Sequence, residues 1–299
     1  MIDPKVYTLL KVYECGSFVG AATALSLTQP AVSHHIKLLE EELGVKLFER
    51  VQGHIILSKQ GEIVVNYAKK MLGVYENLRR ELAADLTGIA QLTVGITHTA
   101  ESNPMAESLA RYGAEHQNVN IKLITSNIKN LYSMLTNYEI DLAVVEGKIP
   151  DPKIRYLPLD TDYLVLAVSP DHPFAGRSMV SLQELMRERM ILRLPESGTR
   201  NLFVAHLESN NMSIDDFNVI LEVDNIATIK DLIRRDFGVS ILPRSVCLDE
   251  LKKKKIAVLP VENLSMIREV NLAYPADFTQ IELLHDIINA YHETVRLYK

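Results

Sequence analysis

Seven side chains near the start of the chain have the types and spacing to read a DNA duplex. Gln29, Pro30, Ser33, His34 and Lys37 fall along one side of a helix beginning near Thr28, and Arg50 and His54 follow in a short ribbon. Glutamine, serine and histidine offer donors and acceptors to base edges, and lysine and arginine neutralise phosphates. A second group lies far downstream. Thr97, His98, Thr99 and Ser102 form one cluster, Ser126 and Asn127 a second, Thr199 and Arg200 a third, and Asn225 with Ala227 a fourth. Each stands where a strand pattern gives way to a helix pattern. Hydroxyls, a guanidinium and the free N–H groups of helix starts suit a small anion. Ordinary helix capping explains any one of these loops; four loops at one cleft favour an anion pocket. Glu101 and Glu146 oppose that reading unless they are turned away or bonded, Glu146 to backbone N–H groups. No Gly-x-Ser-x-Gly elbow, phosphate loop or metal-ligand spacing occurs, so no catalytic residue, cofactor or metal is expected. Asp171-His172 sits in Ser-Pro-Asp-His-Pro, which reads as a turn.

The elements that must hold these groups are legible in the spacing. Ser17 reads as an N-cap, followed by Phe18, Ala21, Ala22 and Leu25 at helical intervals. Ser26-Leu27-Thr28 makes a turn. The next helix carries Pro30 in its first turn and a stripe of Val32, Ile36, Leu39 and Leu43, and Gly44 reads as its stop. At about 100° per residue, His34 points outward with Ser33 and Lys37, and His35 lies nearer the core edge. Val45 to Phe48 reads as a return segment, and residues 50–57 as a two-stranded ribbon turning at Gly53. Over residues 62–86, Val64, Ala68, Met71, Tyr75, Leu78 and Leu82 recur at alternating intervals of four and three. That is a heptad seam suited to pairing with a second chain.

Beyond Gly88 the pattern changes to strands at 92–97, 119–126 and 141–146 alternating with helices at 104–116 and 129–138. Such a rhythm predicts a parallel sheet covered by helices. A second set of strands is expected at 163–169, 190–194, 219–223 and 239–242. Its helices fall at 182–186, 199–208, 225–235 and 244–251. A late strand at 268–274 and a closing helix at 278–298 complete two lobes, with a cleft at the carboxyl edges of their strands.

Bulk properties fit this division. The chain has 299 residues, 47% hydrophobic and 23% charged, enough for two or three domains. No apolar run reaches membrane length and the start lacks a signal pattern, so a cytoplasmic protein without membrane contact is expected. Cys15 and Cys247 fall in different predicted domains, which argues against a disulfide. Residues 1–61 hold six cations (Lys5, Lys11, Lys37, Lys46, Arg50, Lys59) and six anions (Asp3, Glu14, Glu40, Glu41, Glu42, Glu49). With a net charge of −6 overall, DNA binding must rest on a local positive face of Lys37, Arg50 and Lys59. Modest affinity per head favours a multimer.

Several strings together resemble one family. Gly16-Ser17-Phe18, Ala21-Ala22, residues 29–33, 39–44 and 47–50, and Leu57-Ser58-Lys59-Gln60-Gly61 closely resemble the winged helix-turn-helix of the LysR-type transcriptional regulators. Residues 141–147, 168–173, 194–200 and 238–243 resemble strings of the same family's periplasmic-binding-protein-like effector domain. The chain departs from the family at Ser126-Asn127-Ile128, where Gly-Asn-Ser or Gly-Asn-Thr is common, so a hydroxyl is lost, and at Ser33-His34-His35, where Ser-Arg is common. The resemblance implies an α/β protein with a winged helix-turn-helix over residues 1–61, a linker and dimerisation helix over 62–88 and an effector domain over 89–299. Lobe I would take 89–162 and 267–299, and lobe II 163–266. It implies a sequence-specific regulator, dimeric through the linker and assembled as a homotetramer. Its DNA would be an interrupted inverted repeat, its effector a small organic or inorganic anion between the lobes, and RNA polymerase a further candidate partner.

Overall fold

The computed structural model describes residues 2–102 and 104–298. The chain forms two compact units. One runs to Gly88 and includes Thr136–Glu139; the other takes Ile89–Leu135 and the chain from Ile140 onward.

In the first unit, helices α1 (Pro4–Cys15), α2 (Phe18–Leu25) and α3 (Gln29–Leu43) are followed by strands β1 (Phe48–Val51) and β2 (His54–Leu57) and the long helix α4 (Lys59–Thr87). Short polar side chains start the helices. Ser17 accepts from Gly20 N, Thr28 from Ala31 N and Ser58 from Gly61 N, each satisfying an N–H without an intrahelical partner. Gly44 ends α3 at φ 68°, a left-handed value that glycine adopts without strain. Leu9 and Val12 of α1, Ala21 of α2, Val32, Ile36 and Leu39 of α3 and Leu47 pack into one core, joined by Val65 and Ala68 of α4. The wing closes on Gln52 and Gly53, both at positive φ, the turn geometry whose twist matches a two-stranded ribbon. Glu40 fixes the approach to the wing by accepting from Leu47 N at 2.9 Å and from Lys46 Nζ at 2.6 Å.

The predicted seam on α4 is only partly the exposed one. Ala68 is buried in the unit's own core and Val64 packs against it. The exposed apolar side chains are Ile63, Tyr67, Met71, Val74, Leu78 and Leu82. The shift follows from geometry, because the first turns of α4 must cover α1 and α3, and farther along Gly73 packs against the backbone of Asn137 and Tyr138.

The second unit is built on a mixed sheet. Strands β3 (Ala90–Ile96), β4 (Val119–Thr125), β5 (Leu142–Glu146), β6 (Ile154–Val168), β9 (Ser240–Pro243), β10 (Ala257–Leu259) and β11 (Ile267–Pro275) form it, in the order β10-β6-β11-β5-β3-β4 with β9 also on β6. Only the β4-β3-β5 part is parallel; β11 and the partners of β6 are antiparallel. Strand β6 starts nine residues before the expected 163 and serves both lobes. Its first part pairs with β11 as far as Tyr163, and Leu164 to Val168 pair with β9 and β10. The pairing slips between Val270 and Asn271, opposite Asp160 and Pro158. A bulge of this kind accommodates a proline that cannot donate to the ladder.

Helices α6 (Met105–Glu115) and α12 (Ile281–Arg296) cover one face of the lobe I sheet through Met105, Leu109, Leu284, Ile287 and Tyr291. Helix α7 (Ile128–Thr136) covers the other through Leu131 and Leu135. In lobe II, strands β7 (Met190–Leu192) and β8 (Val219–Glu222) pair in parallel. Helix α9 (Gly198–Ser209) packs Phe203 and Leu207 on Leu164, Leu166 and Val168. Helix α10 (Ile226–Arg234) packs Ile226, Ile229 and Ile233 on Ala167 and Leu242. Alternate residues of β6 thus serve opposite faces, as a strand buried on both sides requires.

Candidate functional site

Helix α3 presents Gln29, Pro30, His34 and Lys37 to solvent, with Ser33 half-buried beside them. Gln29 Nε2 donates to Ser33 Oγ at 2.8 Å, so the two polar groups share one face. His35 turns the other way. Its Nδ1 lies 2.9 Å from Thr8 Oγ1, and the Thr8 hydroxyl donates to Pro4 O at 3.1 Å. With its only proton committed, Thr8 must accept from His35 Nδ1–H, which sets the tautomer. Arg50 and His54 are exposed on the wing. Lys37 lies 3.5 Å from Glu41 while remaining largely exposed, a pair weak enough for a phosphate to displace. Lys5, Lys11 and Lys46 are held by carboxylates. Arg50 and Lys59 have no ion pair among the described residues.

The second unit holds a cavity of about 460 Å³ at the carboxyl edges of β3, β4 and β5 and the start of α9. Thr97, His98, Thr99, Ser126 and Asn127 line it from lobe I together with Glu146 and Gly147. From the other side come Arg193, Leu194, Glu196, Ser197, Gly198 and Asp224, and Arg268 of β11 completes the wall. Thr97 does two jobs: its hydroxyl donates to Glu146 Oε1 at 2.8 Å and accepts from Ala100 N at 3.1 Å. Asn127 Oδ1 accepts from Asn130 N at the start of α7.

Two buried arginines stand in the wall. Arg193, 4% exposed, donates from Nη2 to Asp224 at 2.9 Å, and its Nε and Nη1 have no partner among the described residues. Arg268, 8% exposed, reaches Thr199 Oγ1 and Asp162 at 3.4 Å and approaches Glu146 at 4.0 Å, and its Nε has no partner among the described residues. Asp162 in turn accepts from Ser245 N and Oγ. One guanidinium therefore ties β11 to β6, β5 and α9. Buried donors without acceptors are costly, and an incoming anion would satisfy them.

Five expected residues do not line this cavity. Ser102 follows the short helix α5 (His98–Glu101) and bonds back to Thr99 O. Thr199 is buried one residue beyond the lining, and it accepts from Arg268. Arg200 is drawn to Glu222 at 2.5 Å and to Arg193 O at 3.1 Å, so its charge is spent on lobe II. Asn225 caps Thr228 N, and Ala227 is exposed on α10. Glu146 is held by a hydroxyl and approached by a guanidinium, where backbone N–H groups were expected. Arg193 and Arg268 went unnoticed as site residues. The signal for the first was an arginine inside an apolar run, Met190-Ile-Leu-Arg-Leu194.

Burial pushes the Cys247 thiol up to about 12, which leaves it un-ionised and unreactive. No group of three or more His, Cys, Asp or Glu among the described residues is arranged to hold a metal. No helix among the described residues is long and apolar enough to cross a membrane.

Comparison with known proteins decides between the readings of this architecture. The profile of the bacterial regulatory helix-turn-helix proteins of the lysR family matches residues 5–62, and that of the LysR substrate binding domain matches residues 89–296. The chain belongs to the LysR family. The transcriptional regulator CfxR of Cupriavidus necator is 32% identical over 260 residues, covering 86% of this chain and 80% of CfxR. CysL of Bacillus subtilis is 26% identical over 265 residues, covering 88% of each. Full-length CbnR, solved with its target DNA, superposes with a TM-score of 0.68 at 17% identity, over 98% of this chain and all of CbnR; at that identity the likeness is one of fold. As a LysR protein the chain is a DNA-binding transcriptional regulator. The lysR helix-turn-helix spans α1 to the wing, and the substrate-binding domain contains the cavity.

Proposed function

We propose that this LysR protein switches transcription in response to a small anionic effector held between the two lobes. The observation that carries the reading is Arg193, buried at the cavity wall with two guanidinium nitrogens that have no acceptor among the described residues. Thr99, Ser126, Asn127 and the backbone at Gly198 supply neutral donors around the same space. Gln29, Pro30, Ser33, His34 and Lys37 enter a major groove, and Arg50 and His54 reach the flanking backbone or minor groove. The exposed stripe of α4 pairs two chains, and a pair of such dimers makes the tetramer. The dyad implies an interrupted inverted repeat. The protein works in the cytoplasm, with RNA polymerase as its partner at the promoter.

Effector binding acts only through a difference in affinity between two arrangements of the lobes. Arg268 is placed to sense it, since it contacts Glu146, Asp162 and Thr199 at once. The test is a footprint and DNA-bending assay on a bound operator, with sulfate, phosphate and small carboxylates titrated in. The expected result is a shortened footprint or relaxed bend with an anion that also raises the melting temperature. An anion that binds the cleft and leaves footprint and bend unchanged would contradict the switch.

A further inference from the structure

Carboxylates outnumber guanidinium groups around the cavity. Arg193 and Arg268 face Glu146, Glu196 and Asp224, with Asp162 directly behind Arg268. A simple anion would satisfy Arg193 but enter a wall in which three carboxylates stand against two guanidinium groups, where like charges repel. A simple cation would suit the carboxylates but leave the buried Arg193 donors unmet. The two kinds of group are also placed on different elements. The acid-seeking side is lobe II: Arg193 Nε and Nη1, and the start of α9, a twelve-residue helix whose N-cap Ser197 makes no side-chain cap bond. Gly198 there has open space beside it, so a ligand can approach the backbone. Helices α2, α3 and α10, by contrast, are capped by their own side chains. The cation-seeking side is lobe I, through Glu146; of the lobe II carboxylates, Asp224 is already paired with Arg193 and Glu196 is exposed beside the start of α9. Glu146 Oε1 takes the Thr97 hydroxyl, and no donor among the described residues reaches Oε2.

We propose that the effector is an ampholyte of the amino-acid class, its acidic group docked at Arg193 and the first turn of α9 and its protonated amine at Glu146. This rests on the reading of the cleft as the effector site and narrows it. One molecule then answers both sets of unmet groups, and a ligand long enough to touch both lobes favours the arrangement that lets it do so. Either end alone engages one lobe and leaves the other unaltered.

The experiment is calorimetric titration of the full chain with each proteinogenic L-amino acid, its des-amino acid and its decarboxylated amine, with inorganic phosphate alongside. The expected result is at least one amino acid that binds more than about tenfold tighter than both truncated forms. Glu146→Gln should remove that preference without weakening binding of the des-amino acid, since it also removes a charge that repels it. The comparison of ligands on the unaltered protein stands even if that variant folds poorly. A des-amino acid or phosphate binding as tightly as every amino acid would overturn the ampholyte and leave the anionic cleft standing. Absence of binding by every member of the set would overturn both.

Discussion

Thr8 Oγ1 and His35 Nδ1 lie 2.9 Å apart, so of two adjacent histidines on α3 one is committed to the core and the other is free. His34 faces solvent beside Gln29, Ser33 and Lys37. His34→Ala should weaken binding to a specific DNA site by about tenfold, as loss of one base contact does, with the melting temperature unchanged. His35→Ala should cost about 1 kcal/mol of stability through its lost hydrogen bond and change DNA affinity little. Matched binding titrations and thermal melts check both; equal losses of affinity would contradict this orientation.

Leu78 and Leu82 lie on the exposed stripe of α4, clear of the core formed by its first turns. Charge at these positions should disrupt pairing of two chains, because a seam cannot bury a carboxylate without a partner. Leu78→Glu/Leu82→Glu should abolish the tetramer, sediment no larger than a dimer and bind DNA at least about a hundredfold more weakly, since two linked heads gain avidity of this order. A variant that remained tetrameric would place the interface elsewhere.

Gly61 sits where α4 passes the wing. A Cβ there would stand 2.1 Å from Leu47 O, and the carbonyl cannot yield because it also accepts from Ser58 N. Gly61→Ala should destabilise the first unit by about 3 kcal/mol, the upper end of overpacking costs, read by denaturant unfolding. A neutral substitution would refute the close approach.

Glu184 accepts from Arg177 and caps its own helix α8 (Leu182–Leu185) through Ser181. The Arg177 hydrogen bond, with the Ser181 donors, holds its carboxyl at about 2 against an ordinary 4.5. A carboxylate lowered on folding stabilises fully above its unfolded value, and the contribution disappears as pH falls from about 4.5 toward 2. The stability gap between the wild type and Glu184→Gln should therefore narrow across that window. A gap constant from pH 6 to pH 3 would contradict the assignment.

Cys247 is buried and Cys15 exposed. An aromatic disulfide reagent should titrate one thiol in the native protein and two after denaturation. Rapid reaction of both in the native state would show lobe II open at that point.

The local parts of the fold were legible from residues a turn apart. Ser17, Thr28 and Gly44 cap helices because their own side chains or backbone do so, which needs no distant partner. The crossing strand β6 was obscured by Pro158, Asp160 and Asp162, residues that read as a loop and are tolerated by the bulge and by Ser245 and Arg268. The cleft's position followed from the strand–helix rhythm, since ligand loops gather at carboxyl edges. Its chemistry did not. Arg200 looked like the anion's partner because it opens a helix, but Glu222, distant in sequence, takes it away. Arg193 and Arg268 belong to β-rich stretches and gain their roles only from partners 31 and 106 residues off.

The most direct test of the central claim is sequencing of genomic fragments captured by the purified protein, with Ser33→Ala/Lys37→Ala as the control. Both substitutions lie on the solvent side of α3 and leave its core stripe intact. A small set of sharp peaks sharing an interrupted inverted repeat, lost in the variant, is the predicted result. Peaks that persist in the variant, or a wild-type profile no sharper than the variant's, would contradict a specific reader built on this face of α3.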